Sequence, residues 1–346
     1  MRSQYIKTLF RHFIIWTLAF AFWTIMRDFG HEVVRDYQPN FLQQIRLHLA
    51  FGIIAGILFG SLDYLFQNKV IHQVSFGRAL FMGTISYLLA FILMTVFGVQ
   101  VFARVLQFEV DEAYQNFMFS QEWFLLAFYC YIIGFMIDFF KEVDKKFGPG
   151  NLLKMLKGEF YEPKEDERIF MFLDLKSSTA IAEKLGHIQY SKLIQDCFQD
   201  LRVVKKYQAE VYQYVGDEAV LTWDRQTGLT NSNCLKAYIE FEKRLEERAD
   251  YYNKNYGLTP VFKAGLNVGK ITIAEVGELK TEIAYHGDTI NTAARIQEQC
   301  NIFGKNLLIS ETLQQNLQLN GFSSLHVGEI LLKGKRNAIN IYSVEY

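Results

Sequence analysis

Four long apolar runs crowd the first part of the chain, at residues 10–26, 47–66, 79–102 and 123–140. Each is close to or beyond the ~20 apolar residues with which a helix crosses a bilayer. Trp16, Trp23 and Trp123 lie in or near their ends, where amphipathic rings collect. Three further runs follow the first and no small-residue cleavage site separates them, which predicts a retained helix rather than a removable signal. Beyond Phe140 the pattern changes to short periodic segments of mixed charge. Residues 141–149 are charged and break at Gly148-Pro149-Gly150, and Asn151 is placed to cap a short helix over 152–157. The pattern then predicts a strand at 168–174, helices at 178–185 and 188–207, and strands at 209–215 and 219–223. A long helix at 231–256, strands at 261–268 and 271–276, a helix at 287–301 and closing strands near 307–309, 327–332 and 339–344 complete the series.

The first part of the soluble series is a βαββαβ order, an α+β fold of the ferredoxin-like kind, with helices expected on one face of a largely antiparallel sheet. The chain therefore reads as a four-helix transmembrane bundle (1–140), a linker or coupling helix (141–160) and a soluble α+β domain (161–346). Arg2, Lys7 and Arg11 precede the first run, Lys69 and Arg78 bracket the second loop, and Lys141, Lys145 and Lys146 follow the fourth run. The third loop is acidic, with Glu109, Asp111, Glu112 and Glu122, and the first is mixed. The excess of Lys and Arg on one side predicts a multi-pass protein of the cell (inner) membrane with both termini and the soluble domain in the cytoplasm. The loops are short, so sensing would occur within the bundle, at its rim or through a partner.

Overall charge changes this picture little. The 36 Lys and Arg balance 37 Asp and Glu, and no basic block stands out in the soluble half, which argues against a nucleic-acid partner. Cys130, Cys197, Cys234 and Cys300 show no CxxC spacing, as suits a reducing compartment. Asp63 and Asp138 fall near cytoplasmic run ends and read as interfacial charges that snorkel. His12 and His72 on the inner side, with His31 and His48 on the outer, permit metal or haem sites without demanding them.

Two aspartates carry the candidate chemistry. Asp174 ends the apolar run 169–173 and is followed by Ser177-Ser178-Thr179, a segment that opens a helix whose free N–H groups suit phosphate oxygens. Asp217 sits with Gly216 at the tip of a hairpin between 211–215 and 219–223. Two carboxylates brought together hold divalent metals, and the pairing points to metal-dependent phosphate chemistry. Singly, a strand-end Asp is more often a cap, and Arg295 or Lys333 a solvated surface charge.

Four blocks in order, Phe172-Leu173-Asp174-Leu175-Lys176-Ser177-Ser178-Thr179, Tyr214-Val215-Gly216-Asp217-Glu218, His286-Gly287-Asp288-Thr289-Ile290-Asn291-Thr292-Ala293-Ala294-Arg295 and Leu332-Lys333-Gly334-Lys335, resemble the class III nucleotidyl cyclases of the membrane-anchored bacterial type. The resemblance covers about residues 160–346. It implies a head-to-tail homodimer with active sites across the interface, and two Mg²⁺ or Mn²⁺ ions on Asp174 and Asp217, with the Leu175 carbonyl a further ligand. It places Asn291 at the ribose, Arg295 and Lys333 at the leaving pyrophosphate, and the backbone N–H groups of Ser177, Ser178 and Thr179 around the β- and γ-phosphates. Gln213 and Ala284 fall at the base-reading positions. Adenylate cyclases of the class usually carry Lys with Asp or Thr there, and guanylate cyclases Glu with Cys; this chain matches neither pair. A Gln amide offers both a donor and an acceptor, and Ala offers no side-chain hydrogen bond. The implied function is a membrane-bound adenylate cyclase converting ATP to 3′,5′-cyclic AMP and pyrophosphate. The alternatives are a guanylate or dual-specificity cyclase acting on GTP, or a catalytically silent cyclase-like membrane receptor. The hairpin Val215-Gly216-Asp217-Glu218-Ala219 lacks the Gly-Gly-Asp/Glu-Glu-Phe pattern of diguanylate cyclases.

Overall fold

The computed structural model describes residues 2–28, 41–69, 76–106, 120–148, 151–279, 281–318, 321–331 and 338–346. It divides into two compact units, Met1–Lys146 and Phe147–Tyr346.

The first unit contains α1 (Arg2–Asp28), α2 (Phe41–Lys69), α3 (Phe76–Leu106) and α4 (Gln121–Phe147). Their stretches Tyr5–Met26, His48–Leu65, Leu80–Gln100 and Gln121–Asp144 are long and apolar enough to cross a membrane, within a few residues of the four expected runs. Large apolar side chains also point outward, among them Phe10, Leu18, Phe81, Leu93 and Phe97, while Trp16, Phe20, Phe59, Phe91 and Trp123 fill the interior. A water-soluble bundle would keep its outer face polar. α1 and α2 approach through Gly52, Gly56 and Gly60, one per turn. An added Cβ at Gly52 would lie 2.7 Å from the Thr17 Cα, and one at Gly56 2.6 Å from the Phe13 Cα. Small residues at this spacing let helix backbones meet.

Asp63 and Asp138 depart from the snorkelling expectation, being buried at 6% and 3% exposure. The Asp63 carboxylate meets His12 Nε2 at 3.1 Å and Arg11 at 3.6 Å. Lys141 Nζ bridges Asp63 at 2.5 Å and Asp138 at 2.7 Å. The network therefore takes groups from α1, α2 and α4, and burial is tolerable because each charge has an opposite neighbour. From α3, Gly83 faces the Asp138 carboxylate so closely that a Cβ there would collide with Oδ2. His31 and His72 lie outside the described residues.

The second unit opens with α5 (Asn151–Leu156), β1 (Lys164–Leu175), α6 (Ser178–Asp200) and, after a 3₁₀ segment, β2 (Glu210–Val215) and β3 (Glu218–Asp224). α7 (Arg225–Leu229), α8 (Asn233–Glu247), α9 (Ala249–Tyr256), β4 (Phe262–Val276), β5 (Glu282–His286) and α10 (Asp288–Glu298) follow. The unit closes with α11 (Cys300–Phe303), β6 (Leu307–Ser310), α12 (Glu311–Asn316), β7 (Ser323–Leu331) and β8 (Ala338–Glu345). The sheet runs β2-β3-β1-β4-β6-β8-β7, with β5 paired to β4. Its pairs are antiparallel except for β4 with β6. The expected βαββαβ order is present.

Three local expectations change. The strands predicted at 261–268 and 271–276 are one strand, because Gly269 and Lys270 stay paired with Arg168 and Glu167 of β1 instead of turning. The helix predicted at 231–256 breaks at Arg248, whose guanidinium is drawn to the buried Asp200 at 2.6 Å. Helices also cover both faces of the sheet, not one. Ala264, Leu266 and Val268 pack with Leu193 of α6, Phe241 of α8 and Tyr252 of α9. The other face carries Phe170, Phe172, Val220, Ile271 and Ile273, and Ala293 of α10 packs there. Gly265 permits that contact: a Cβ on it would meet the Gln297 backbone nitrogen and lie 2.7 Å from the Ala293 carbonyl.

Candidate active site

The register of β1 against β3 sets Asp174 opposite Glu218 and brings Asp217, in the β2–β3 turn, to the same end of the sheet. The turn is tight because Gly216 adopts a left-handed conformation, φ 62°. Phe172 and Val220, two residues back on each strand, lie on the α10 face, so Asp174 and Glu218 point to that face as well. Ser177 is left-handed, φ 59°, and gives no side-chain cap to α6. The first-turn N–H groups at Ser178 and Thr179 therefore receive no side-chain cap from Ser177. The Leu175 side chain is buried.

Lys263 of β4, which the sequence reading passed over, stands opposite Asp174 and places its ammonium 3.0 Å from Oδ2. Gln297 of α10 donates to the same oxygen at 3.1 Å. The signal in the sequence was a lone cation inside the buried strand Phe262-Lys263-Ala264, a placement that requires a partner. Against this one ammonium stand several acids. The Glu218 carboxyl is pushed up to about 7 by burial first, then by Asp174, Asp217 and Glu298. The Tyr190 hydroxyl is pushed up to about 12, again by burial and then by Asp217. Asp217 Oδ2 is buried without a hydrogen-bond partner.

An orphaned carboxylate oxygen among like charges fits a divalent cation. No group of three or more His, Cys, Asp and Glu side chains in ligating geometry occurs among the described residues. A cation here would rest on Asp174 and Asp217 and complete its shell from carbonyls, water or phosphate, as Mg²⁺ does.

The cationic residues lie elsewhere. On α10, Thr289, Thr292, Ala293, Ile296 and Gln297 are buried against the sheet. Asn291 and Arg295 share the opposite, solvent side of the helix, as their i, i+4 spacing predicts, and Arg295 pairs with Glu298 at 3.1 Å. Among the described residues, Arg295 pairs with Glu298, and neither Asn291 nor Arg295 hydrogen-bonds or pairs with Asp174 or Asp217. Lys333 lies outside the described residues.

Gln213 is exposed on β2 and pairs with Val220. Ala284 is partly buried on β5 and pairs with Ala274. The residues beside them, Tyr212 and Tyr285, touch with ring centroids 4.6 Å apart.

The profile of the family described as "Adenylate and Guanylate cyclase catalytic domain" matches residues 160–345. Among curated relatives, "Adenylate cyclase 2" of Rhizobium meliloti (strain 1021) is 31% identical over 210 residues, covering 60% of this chain and 58% of that protein. "Adenylate cyclase" of Anabaena cylindrica is 26% identical over 184 residues, 51% of this chain and 36% of that protein. The chain thus spans less than two-thirds of the length of either relative. A solved bacterial light-regulated adenylyl cyclase superposes with a TM-score of 0.53 at 17% identity, covering 62% of each chain, a likeness of fold. With more than half of its length matched by that profile, and the sheet and acid pair placed as described, the chain belongs to the adenylate and guanylate cyclase catalytic-domain family.

Proposed function

We propose that this chain is a membrane-bound adenylate cyclase that converts ATP to 3′,5′-cyclic AMP and pyrophosphate as a homodimer. The reading divides the chain into a four-helix transmembrane domain (1–140), a coupling segment (141–160) and a catalytic domain (161–346). Charges flanking the helices favour insertion in the cell membrane with both termini and the catalytic domain in the cytoplasm. One observation supports the dimer: Asn291 and Arg295 lie on the exposed side of α10, where Arg295 pairs with Glu298 and not with Asp174 or Asp217. Each chain then offers one acid half-site and one cationic half-site, and a two-fold dimer completes two equivalent centres.

Asp174 and Asp217 would hold two Mg²⁺ or Mn²⁺ ions, with the Leu175 carbonyl beside them. When bound, such ions make the ribose 3′-hydroxyl a better nucleophile and neutralise the triphosphate. Lys263, 3.0 Å from Asp174 Oδ2, occupies that carboxylate in the metal-free chain and would give way to an arriving ion. The N–H groups of Ser177, Ser178 and Thr179 suit the β- and γ-phosphates. Arg295, with its planar fork, and Lys333, a point charge, suit the oxygens of the departing pyrophosphate, while Asn291 orients the ribose. Gln213 and Ala284 border the base, and the relatives' names favour adenine.

Two inactive variants test the arrangement. Asp174→Ala and Arg295→Ala each abolish cyclic nucleotide formation by purified full-length protein with Mn²⁺ and ATP. Co-expressed, they yield mixed dimers with one intact centre and recover about a quarter of wild-type activity. No recovery would remove the shared-site dimer. Cyclic GMP from GTP at a comparable rate would favour the dual-specificity reading, and nucleotide binding without product the silent receptor.

A further inference from the structure

Tyr212 occupies an extra position in β2. Val211 pairs with Leu221 and Gln213 with Val220, so Tyr212 is a bulge residue. A bulge of this kind turns two consecutive side chains toward one face. Tyr212 packs in the α10-side cluster, and Gln213, opposite the buried Val220 of that cluster, shares its face.

From there Tyr212 reaches β5. Its hydroxyl oxygen accepts the backbone N–H of Tyr285 at 3.4 Å, and the two rings lie 4.6 Å apart. In the sheet β2 is joined to β3 and β5 to β4, so this side chain links two strands that do not pair with each other. The far side of the link is firmly held. Tyr285 meets Phe170 edge-on at 5.5 Å, and the Arg168 guanidinium lies 5.3 Å from its ring. Arg168 is buried and pairs with Asp166, Glu210 and Asp224, carboxylates of β1, β2 and β3.

We propose that Tyr212 is a positioning residue for purine selection, its hydroxyl clasping the Tyr285 N–H and thereby fixing Gln213 against β5. The proposal rests on the cyclase reading, in which Gln213 and Ala284 border the base. A Gln amide can present its donor or its acceptor by turning, and Ala284 adds no side-chain hydrogen bond, so residue chemistry alone discriminates little between adenine and guanine. What discriminates is where the amide sits relative to the β5 backbone. The clasp also occupies a backbone donor next to Ala284. Released, that N–H complements the O6 carbonyl of guanine and opposes the N6 amino group of adenine.

The test compares full-length wild type, Tyr212→Phe and Tyr285→Phe in detergent with Mn²⁺, measuring kcat and KM for ATP and GTP separately. Tyr212→Phe keeps the ring contact and loses the acceptor. Its kcat/KM ratio for ATP over GTP falls about three- to tenfold, the range that one net hydrogen bond spans. Tyr285→Phe retains the backbone N–H and its acceptor, and keeps the wild-type ratio. An unchanged or raised ratio in Tyr212→Phe overturns the proposal, as does an equal fall in Tyr285→Phe. A purely structural role would lower turnover of both nucleotides together and also overturns it. If wild type forms no cyclic nucleotide, the cyclase reading fails. The clasp is then judged by ATP and GTP displacement of a fluorescent nucleotide: a shift of the ratio in Tyr212→Phe supports it, and its absence overturns it.

Discussion

In metal-free protein, a rise in pH should weaken the catalytic unit through one residue. The Glu218 carboxyl is moved from an ordinary 4.5 to about 7, by burial and then by Asp174, Asp217 and Glu298. An acid whose folded pKa is raised favours the fold while protonated. Its contribution is whole below about 4.5 and lost as pH climbs through about 7. At about 1.36 kcal/mol per pH unit, that change sets a ceiling of about 3.4 kcal/mol. Glu218 is only half-buried, and solvent screening reduces the expected figure to about 1–2 kcal/mol. For a unit of this size it corresponds to a midpoint shift of about 2–8 °C. Thermal unfolding of purified protein in detergent with a chelator, between about pH 4.5 and 8, reads it as the difference between wild type and Glu218→Gln. The variant keeps the shape and cannot titrate, so other groups cancel. Saturating Mn²⁺ places positive charge at Asp174 and Asp217, draws the Glu218 pKa down and flattens the wild-type slope. Parallel curves in chelator, or a slope that Mn²⁺ leaves untouched, would refute the reasoning.

Other outcomes follow from named contacts. Lys263→Gln removes an ammonium that already occupies Asp174, so calorimetry shows Mn²⁺ binding several-fold more tightly; weaker binding would mean that Lys263 serves to hold the carboxylate in place. Gly265→Ala forces α10 off the sheet, costs about 1–3 kcal/mol and lowers turnover by displacing Arg295, so wild-type melting and kinetics would contradict the close approach. Lys141→Met leaves Asp63 and Asp138 buried with fewer cations and costs about 3–5 kcal/mol, measured by detergent-induced unfolding. Gly83→Ala destabilises the same bundle through Asp138, and an unchanged midpoint would count against that contact.

Much of this was legible in residue order. The apolar runs announce four helices, and the aspartates at 174 and 217 become legible through the blocks around them taken jointly, since a strand-end Asp alone is more often a turn or cap residue. What the sequence concealed depends on tertiary pairing. β5 is five residues long and acquires strand character only beside β4. Gly269 looks like a turn and is instead held extended between neighbours. Asp63 looked interfacial because its partners, His12, Arg11 and Lys141, are distant in sequence and on other helices, whereas Asp138 has Lys141 three residues on and is approached from α3 by the distant Gly83. Lys263 was hidden for the same reason, its partner being 89 positions away on β1, from 174 to 263.

The buried ion network also imposes an order on biosynthesis. Asp63 meets His12 and Arg11 as soon as α2 has been made, but its Lys141 partner comes from α4. In the membrane-bound reading proposed above, a nascent chain that has delivered only α1 to α3 brings Asp63 into the bilayer without its Lys141 partner, and so has reason to be held at the insertion machinery until α4 arrives. Since α4 ends immediately before the catalytic unit, the bundle becomes electrically complete only as synthesis of that unit begins.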